Sequence, residues 1–223
     1  MIKTSAKTAR RGTFIVIDGM DGSGKGTQIR LLQEKLTGHP VIFTREPGGT
    51  PKAEEIRKLL LNKDGPASDP LKDFWLFWEA RESHVEELIG PSLEQGTHVL
   101  CDRYDSSTHA FQIHGEQQNS LLDLFKEKRE TLPPKYHPHA YIILDLPAEV
   151  AYGRRLKDSV QEKTRFDVKP IEYHARVRDG FLQFGEYLKD SKSDSICYFI
   201  DADRPVEAIH ADIWKIVSRE LGI

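Results

Sequence analysis

The chain has 223 residues, enough for one α/β domain with a sizeable core and slightly few for two independent ones. Charged residues make up 30% of it, yet the formal net charge is −3, so no global field draws it to nucleic acid or an anionic membrane and any basic chemistry must be local. No apolar stretch approaches the roughly eighteen residues of a membrane span, and Cys101 and Cys197 lack metal-ligand or redox-motif spacing, so both read as buried free thiols of a cytoplasmic protein.

Residues 1–12 (MIKTSAKTARRG) hold four basic residues and no acidic one, the composition of a disordered basic tail. From there, continuous apolar runs alternate with segments of helical periodicity. TFIVI (13–17) leads through a glycine-rich turn to Gln28–Leu36, whose Ile29, Leu32 and Leu36 share one face. VIFT (41–44) is followed by helical patterns over Ala53–Leu61 and Lys72–Ile89, and HVLC (98–101) by Ser120–Glu130. YIIL (141–144) precedes Ala148–Lys157 and Pro170–Leu188, and ICYFI (196–200) precedes Val206–Leu221, with Ile209, Ile213, Ile216 and Val217 on one stripe. Runs without polar alternation read as strands buried on both faces. Five of them separated by helices predict a doubly wound, mostly parallel five-stranded sheet with helices on both faces, one domain from residue 13 to 223. HGEQQN (114–119) reads as a polar loop.

In such a sheet ligands bind beyond the carboxyl ends of the strands. After the first run comes Gly19-Met20-Asp21-Gly22-Ser23-Gly24-Lys25-Gly26-Thr27, a G-x4-G-K phosphate loop. Backbone N–H groups from about Gly22 to Thr27 converge on an anion at the start of a helix, and Lys25 adds a full charge. Gly26 stands where the pattern carries a hydroxyl. Thr27 lies one place further on, which leaves its direct ligation of Mg²⁺ open. After the second run, Arg45 leaves the strand beside a Pro-Gly-Gly turn, placed to fork onto a second phosphate. After the third, Asp102 occupies the position of a Mg²⁺-ordering acid, and Arg103 beside it faces phosphate. Phe77 and Arg81, four apart on a helix, place a ring and a guanidinium on one face, as a base pocket or a core would. Arg103, Ser107 and Phe111 fall at i, i+4 and i+8 if their segment is helical. Arg154, Arg155 and Lys157 end one helix, and Arg165 follows the polar stretch DSVQEKT, the composition of a lid over about 154–167.

These segments together resemble the thymidylate kinases, phosphate-loop nucleoside monophosphate kinases. The resemblance runs from about Thr13 to the end through FIVIDGMDGSGKGTQ, FTREPGGT, LFWEARESHVEELI, GTHVLCDRYDSSTHAFQ, ILDLPAEVA, RFD with EYHARVRDGF, and FIDA. It implies transfer of the γ-phosphoryl of Mg-ATP to dTMP, with a homodimer as the usual assembly. It also implies that Asp21 contacts the deoxyribose 3′-hydroxyl and Phe77 stacks on thymine. Arg81, Ser107 and Gln112 stand at or near the base, Arg45 and Arg103 on the acceptor phosphate, and Phe111 crowds a ribose 2′-hydroxyl. The Glu46-Pro47 bond is implied to be cis. One group of the family has an arginine in the phosphate loop and another a glycine there with a basic lid; Gly22 and Arg154, Arg155 and Arg165 match the second. The family's D-R-F-E is here Thr164-Arg165-Phe166-Asp167, so both flanking positions depart from it. Another nucleoside monophosphate kinase stays open as an alternative, since Phe77 can stack on any base. A nucleotide-binding switch also stays open, although it has no need of Arg45 and Arg103.

Overall fold

The computed structural model describes residues 11–62, 69–157, 164–191 and 193–223. Five strands pair in one sheet, all parallel, in the order β2-β3-β1-β4-β5. They are β1 Phe14–Gly19, β2 Val41–Arg45, β3 His98–Asp102, β4 Ala140–Asp145 and β5 Ile196–Asp201. The helices are α1 Lys25–Lys35, α2 Pro51–Leu61, α3 Pro70–His84, α4 Gly90–Glu94, α5 Asp105–Ser107, α6 Leu122–Thr131, α7 Ala148–Lys157, α8 Ile171–Asp190 and α9 Val206–Leu221. Parallel neighbours need long crossovers, which these helices supply, so the doubly wound parallel sheet expected from the alternation is found.

Phe14 to Ile17 and Ala140 to Ile142, in the central strands, are fully buried and form the middle of the core. The edge strands depart from the expectation of burial on both faces. β2 is half-buried along most of its length, and in β5 Ile196 and Phe199 are 48% and 39% exposed. A strand paired on one side only loses the cover that a second neighbour gives. Cys101 in β3 is buried as expected, whereas Cys197 in β5 is only half-buried.

Helix starts and ends differ from the periodicity for local reasons. α2 begins at Pro51 because the Thr50 side chain accepts from the Ala53 amide and proline fits the first turn. The single helix expected over 72–89 ends at His84 and continues through a wider π-type turn, Val85–Ile89, into α4. α5 likewise widens into a π-helical coil, Thr108–Gly115, so part of the expected polar loop 114–119 is helical and anchored: Lys169 pairs with Glu116, and Arg176 donates twice to the Gly115 carbonyl. Gly12, placed in the tail by composition, donates to the Leu93 carbonyl at 2.9 Å. The rest of that tail, 1–10, and the centre of the lid, 158–163, lie outside the described residues. No helix among the described residues is long and apolar enough to cross a membrane.

The register sets the site. Asp102 pairs with both Ile17 and Arg45, Gly19 with Leu144, and Asp145 with Asp201, so the carboxyl ends of all five strands form one edge.

Candidate active site

The phosphate loop ends at Gly24, which takes a left-handed φ of 90° and gives α1 no side-chain cap. No acidic residue occupies the first turn, so the amides there are free for an anion. Lys25 is nearly buried, and its Nζ donates to the Gly19 and Met20 carbonyls at 2.9 and 2.8 Å. Burial and the nearby Arg103 pull its pKa down to about 8, against the opposing pull of Asp21, Asp102 and Asp18. Asp21, Gly22, Gly24, Gly26 and Thr27 line a cavity of about 1030 Å³; Gly19 and Met20 do not, and Ser23 lines a second cavity instead. Gly22 has a φ of 82°, and a Cβ there would fall onto the Ala151 carbonyl of α7. With α7 in this position a side chain at 22 has no room, which fits the glycine-loop arrangement.

Three arginines, Arg45, Arg57 and Arg103, line the same cavity. Arg45 Nη2 lies 3.0 Å from both carboxylate oxygens of Glu54 and is half-exposed. Arg103 adopts a φ of 69°, rare for a side chain of this size, and its guanidinium donates to Asp18, Asp21, the Gly19 carbonyl and Ser107. Burial raises the Asp21 carboxyl, but Arg103, Lys25 and Arg155 outweigh it and hold it below the usual range. For Asp18 burial wins over Arg103 and Lys25, and its pKa is raised. Arg57, which periodicity did not single out, lines the same space and donates to the Pro47 carbonyl at 2.7 Å. Burial and Arg45 lower its pKa. Its signal was the spacing Glu54, Arg57, Leu61, one helical face whose first member holds Arg45 and whose other two line the cavity.

The third wall carries Phe77, Arg81, Ser107, Phe111 and Gln112. Arg103 precedes α5 rather than joining it, yet the expected grouping holds: its Nη1 reaches the Ser107 hydroxyl at 3.0 Å, and its Cζ lies 4.9 Å from the Phe111 ring centre. Gln112 is 4% exposed, and both its amide atoms lack a partner. Arg81 is 1% exposed and has Nη1 equally unpartnered. Both residues line the cavity, and buried polar atoms without a partner are costly unless a ligand satisfies them. A primary amide offers an acceptor oxygen beside an NH2 donor group, the complement of a base edge with a carbonyl beside an N–H. Phe166 lies 6.4 Å from Phe77 between ring centres, so the chain that returns after residue 163 packs against the ring side of the cavity.

The arginines expected in a lid separate. Arg155 lines the cavity and is gripped by Asp167 at 2.7 and 2.9 Å; Asp167 also accepts from the Thr164 amide and hydroxyl. The residues that depart from the family's pattern thus tie α7 to the returning chain. Arg154 donates to the Ala202 carbonyl and to Asp203. With Ala202, Arg204 and Val206 it also lines a second cavity of about 260 Å³ beside Gly24 and Thr27, placed for a donor base and not foreseen from sequence. Applying the strand-end rule to FIDA would have found it. Arg165 lies outside the lining of either cavity and pairs with Asp73 of α3 at 2.8 Å.

Asp102 ends β3 in the main cavity with Oδ1 buried and unpartnered, a carboxylate oxygen that fits a hydrated divalent cation. Thr27 is exposed in the first turn of α1 and lines both cavities. The Glu46-Pro47 bond is cis, as the resemblance implied.

Comparison with known proteins agrees with this geometry. The family model described as "Thymidylate kinase" matches residues 17–213. The thymidylate kinase of Caulobacter vibrioides is 39% identical over 215 residues, covering 96% of this chain and 99% of that protein. That of Syntrophotalea carbinolica is 35% identical over 216 residues, covering 94% and 97%. The crystal structure of thymidylate kinase from Ehrlichia chaffeensis superposes with a TM-score of 0.72 at 28% identity, covering 93% of this chain and 99% of that one. With a parallel sheet, a phosphate loop and near-complete coverage in agreement, the chain belongs to the thymidylate kinase family.

Proposed function

We infer that this chain transfers the γ-phosphoryl group of ATP to a 5′-phosphate oxygen of dTMP, giving ADP and dTDP for dTTP synthesis. One observation carries the reading: a single cavity is lined by an uncapped helix start with Lys25, by Arg45, Arg57 and Arg103, and by Arg81 and Gln112, whose Nη1 and amide atoms lack partners. The helix start suits the donor's phosphates; the arginines and the Arg81–Gln112 wall suit an acceptor carrying both a phosphate and a base.

In this reading Lys25 and the loop amides hold the donor phosphates, and Arg154 stands beside the donor base. Arg45, Arg57 and Arg103 exchange carboxylate or carbonyl partners for the acceptor phosphate. Phe77 stacks on thymine, Arg81 and Gln112 read its edge, Ser107 stands nearby, Phe111 crowds a 2′-hydroxyl, and Asp21 meets the 3′-hydroxyl. The acceptor oxygen attacks the γ-phosphorus in line as the bond to the β-phosphate oxygen breaks, and Arg155 lies on the lid side to neutralise the shifting charge. Arg165, held on Asp73, braces the lid against α3. Asp102 would hold Mg²⁺ through water; the ion, when bound, supplies charge neutralisation between donor phosphates. The resemblance further supports a homodimer, to be seen in sedimentation as a species of twice the chain mass.

The test is ADP formation from ATP with dTMP, dUMP, dGMP, dCMP and AMP in turn. Strong dependence on dTMP is expected; slow hydrolysis indifferent to acceptor contradicts the reading. The lowered Lys25 pKa adds a pH effect. In the free protein Lys25 is protonated below about 8 and loses its charge above it, whereas bound phosphates favour the protonated form. The Kd for ATP is therefore flat below neutrality and rises from about pH 8, by up to about tenfold per pH unit. Titration calorimetry across pH 6.5 to about 9.5 checks this, and Lys25→Met should lack the rise.

A further inference from the structure

Glu46 lines the main cavity and has no part in the roles above. Its carboxylate is 5% exposed. Oε2 accepts from Arg81 Nε at 2.8 Å, and Oε1 lies 3.2 Å from Nδ1 of the fully buried His84. His84 Nε2 in turn meets the Thr44 hydroxyl at 2.7 Å. Gly49, with a φ of 88°, packs so closely that a Cβ there would lie 2.5 Å from His84 Nε2, which fixes the turn against the ring. The Glu46 amide donates to the Asp102 carbonyl at 2.9 Å, locking its backbone to the end of β3.

The consequence falls on Arg81. Its Nε is held by Glu46 and its Nη2 by Glu46 and Thr108, while Trp78 and Tyr104 lie 4.7 and 5.0 Å from Cζ. Only Nη1 is left without a partner. A guanidinium nitrogen donates and never accepts. Held this way, Nη1 demands an acceptor on the base and penalises a base that presents an amino group there.

We propose that Glu46 is a positioning residue that aims Arg81 Nη1 into the cavity and thereby selects acceptors with a 4-oxo pyrimidine over those with a 4-amino one. The proposal rests on the reading of the site as a dTMP site. Without the carboxylate, a buried guanidinium has lost its counter-ion and turns toward the remaining acid, Asp105, which already acts on it electrostatically. The base edge then loses its fixed donor, while ATP binding is untouched.

The experiment compares wild type with Glu46→Gln, measuring kcat/KM for dTMP, dUMP and dCMP, Kd for thymidine and deoxycytidine without ATP, and Tm. In Glu46→Gln, kcat/KM for dTMP falls about thirtyfold, mainly through KM, the size seen when one member of a buried charge pair is truncated. The dTMP to dCMP ratio falls by about tenfold or more, the dTMP to dUMP ratio stays within about twofold because both present the same oxygen, and thymidine loses its preference over deoxycytidine. A general loosening of the site would move both ratios together, and an unchanged dTMP to dCMP ratio in folded Glu46→Gln overturns the proposal. Should that variant not fold, Thr108→Val removes the other side-chain acceptor and leaves Glu46; it keeps the dTMP to dCMP ratio within about threefold if Glu46 is the aiming group, and losing it contradicts the assignment. A wild-type chain that prefers thymidine to deoxycytidine yet transfers no phosphoryl group contradicts the functional reading and leaves the nucleoside comparison as the test of this one.

Discussion

Lys25→Ala lowers kcat by about 10³-fold, near the loss known for removing one preorganised donor to developing charge, or about 4 kcal/mol of barrier. The residue is the charged partner of an otherwise neutral cradle, since α1 begins with no side-chain cap and no acid in its first turn. Its removal leaves the loop's amides to hold the donor, so the KM for ATP rises less than kcat falls. Folding changes little: the side chain is buried at a desolvation cost, and what is lost is two bonds to the Gly19 and Met20 carbonyls. Single-turnover kinetics with saturating dTMP, alongside a thermal melt, separate the two effects. A folded variant with kcat within threefold of wild type removes Lys25 from the mechanism.

Arg103→Ala has the second large effect, and unlike Lys25→Ala it reaches the fold as well. Catalytically, kcat/KM for dTMP should fall by about 10³-fold or more, the range of a well-placed arginine in phosphoryl transfer. Structurally, the guanidinium is, among the described residues, the only cation hydrogen-bonded to Asp18, a carboxylate with no exposed surface, and removing one side of a buried pair costs about 3 to 5 kcal/mol. The lower end applies, because Ser106, Ser107 and the Gly19 amide still donate to Asp18. The backbone adds a second strand to the prediction. With φ at 69°, alanine inherits the left-handed strain and glycine does not, so Arg103→Gly should melt higher than Arg103→Ala while being equally inactive. Equal melting of the two would show that the conformation relaxes once the guanidinium is gone. Arg103→Lys keeps the charge without the fork and should recover stability more than activity.

These residues also mark how far the sequence could be read. The strands of the sheet and the phosphate loop were legible because each rests on local signals: continuous apolar runs for β1, β3 and β4, and glycine spacing before a helix for the cradle. Arg45, Asp102 and Arg103 were legible from the strand-end rule alone. What stayed hidden depends on pairings across long separations. Arg81 meets Glu46 from 35 positions away and Arg103 meets Asp18 from 85, and no periodicity encodes either. Arg165 looked like a lid cation because it is basic and follows a polar stretch, yet Asp73 on α3 holds it outside the cavity. Arg57 was hidden by the charged surroundings of its helix, and the π-helical coil after α5 by the absence of any sequence period for that geometry. The exposure of β5 followed from its place at the sheet edge, which depends on strand order and not on the composition of ICYFI.

The measurement that bears most directly on the account is a crystal structure of the protein with dTMP and a non-hydrolysable ATP analogue. In that complex the dTMP phosphate is expected against Arg45, Arg57 and Arg103, with Arg45 drawn off Glu54, and thymine on Phe77 with its edge toward Arg81 and Gln112. The analogue's phosphates should lie over the start of α1 beside Lys25. A complex in which Arg45 remains on Glu54, Gln112 still lacks a partner, and dTMP occupies some other surface would contradict it.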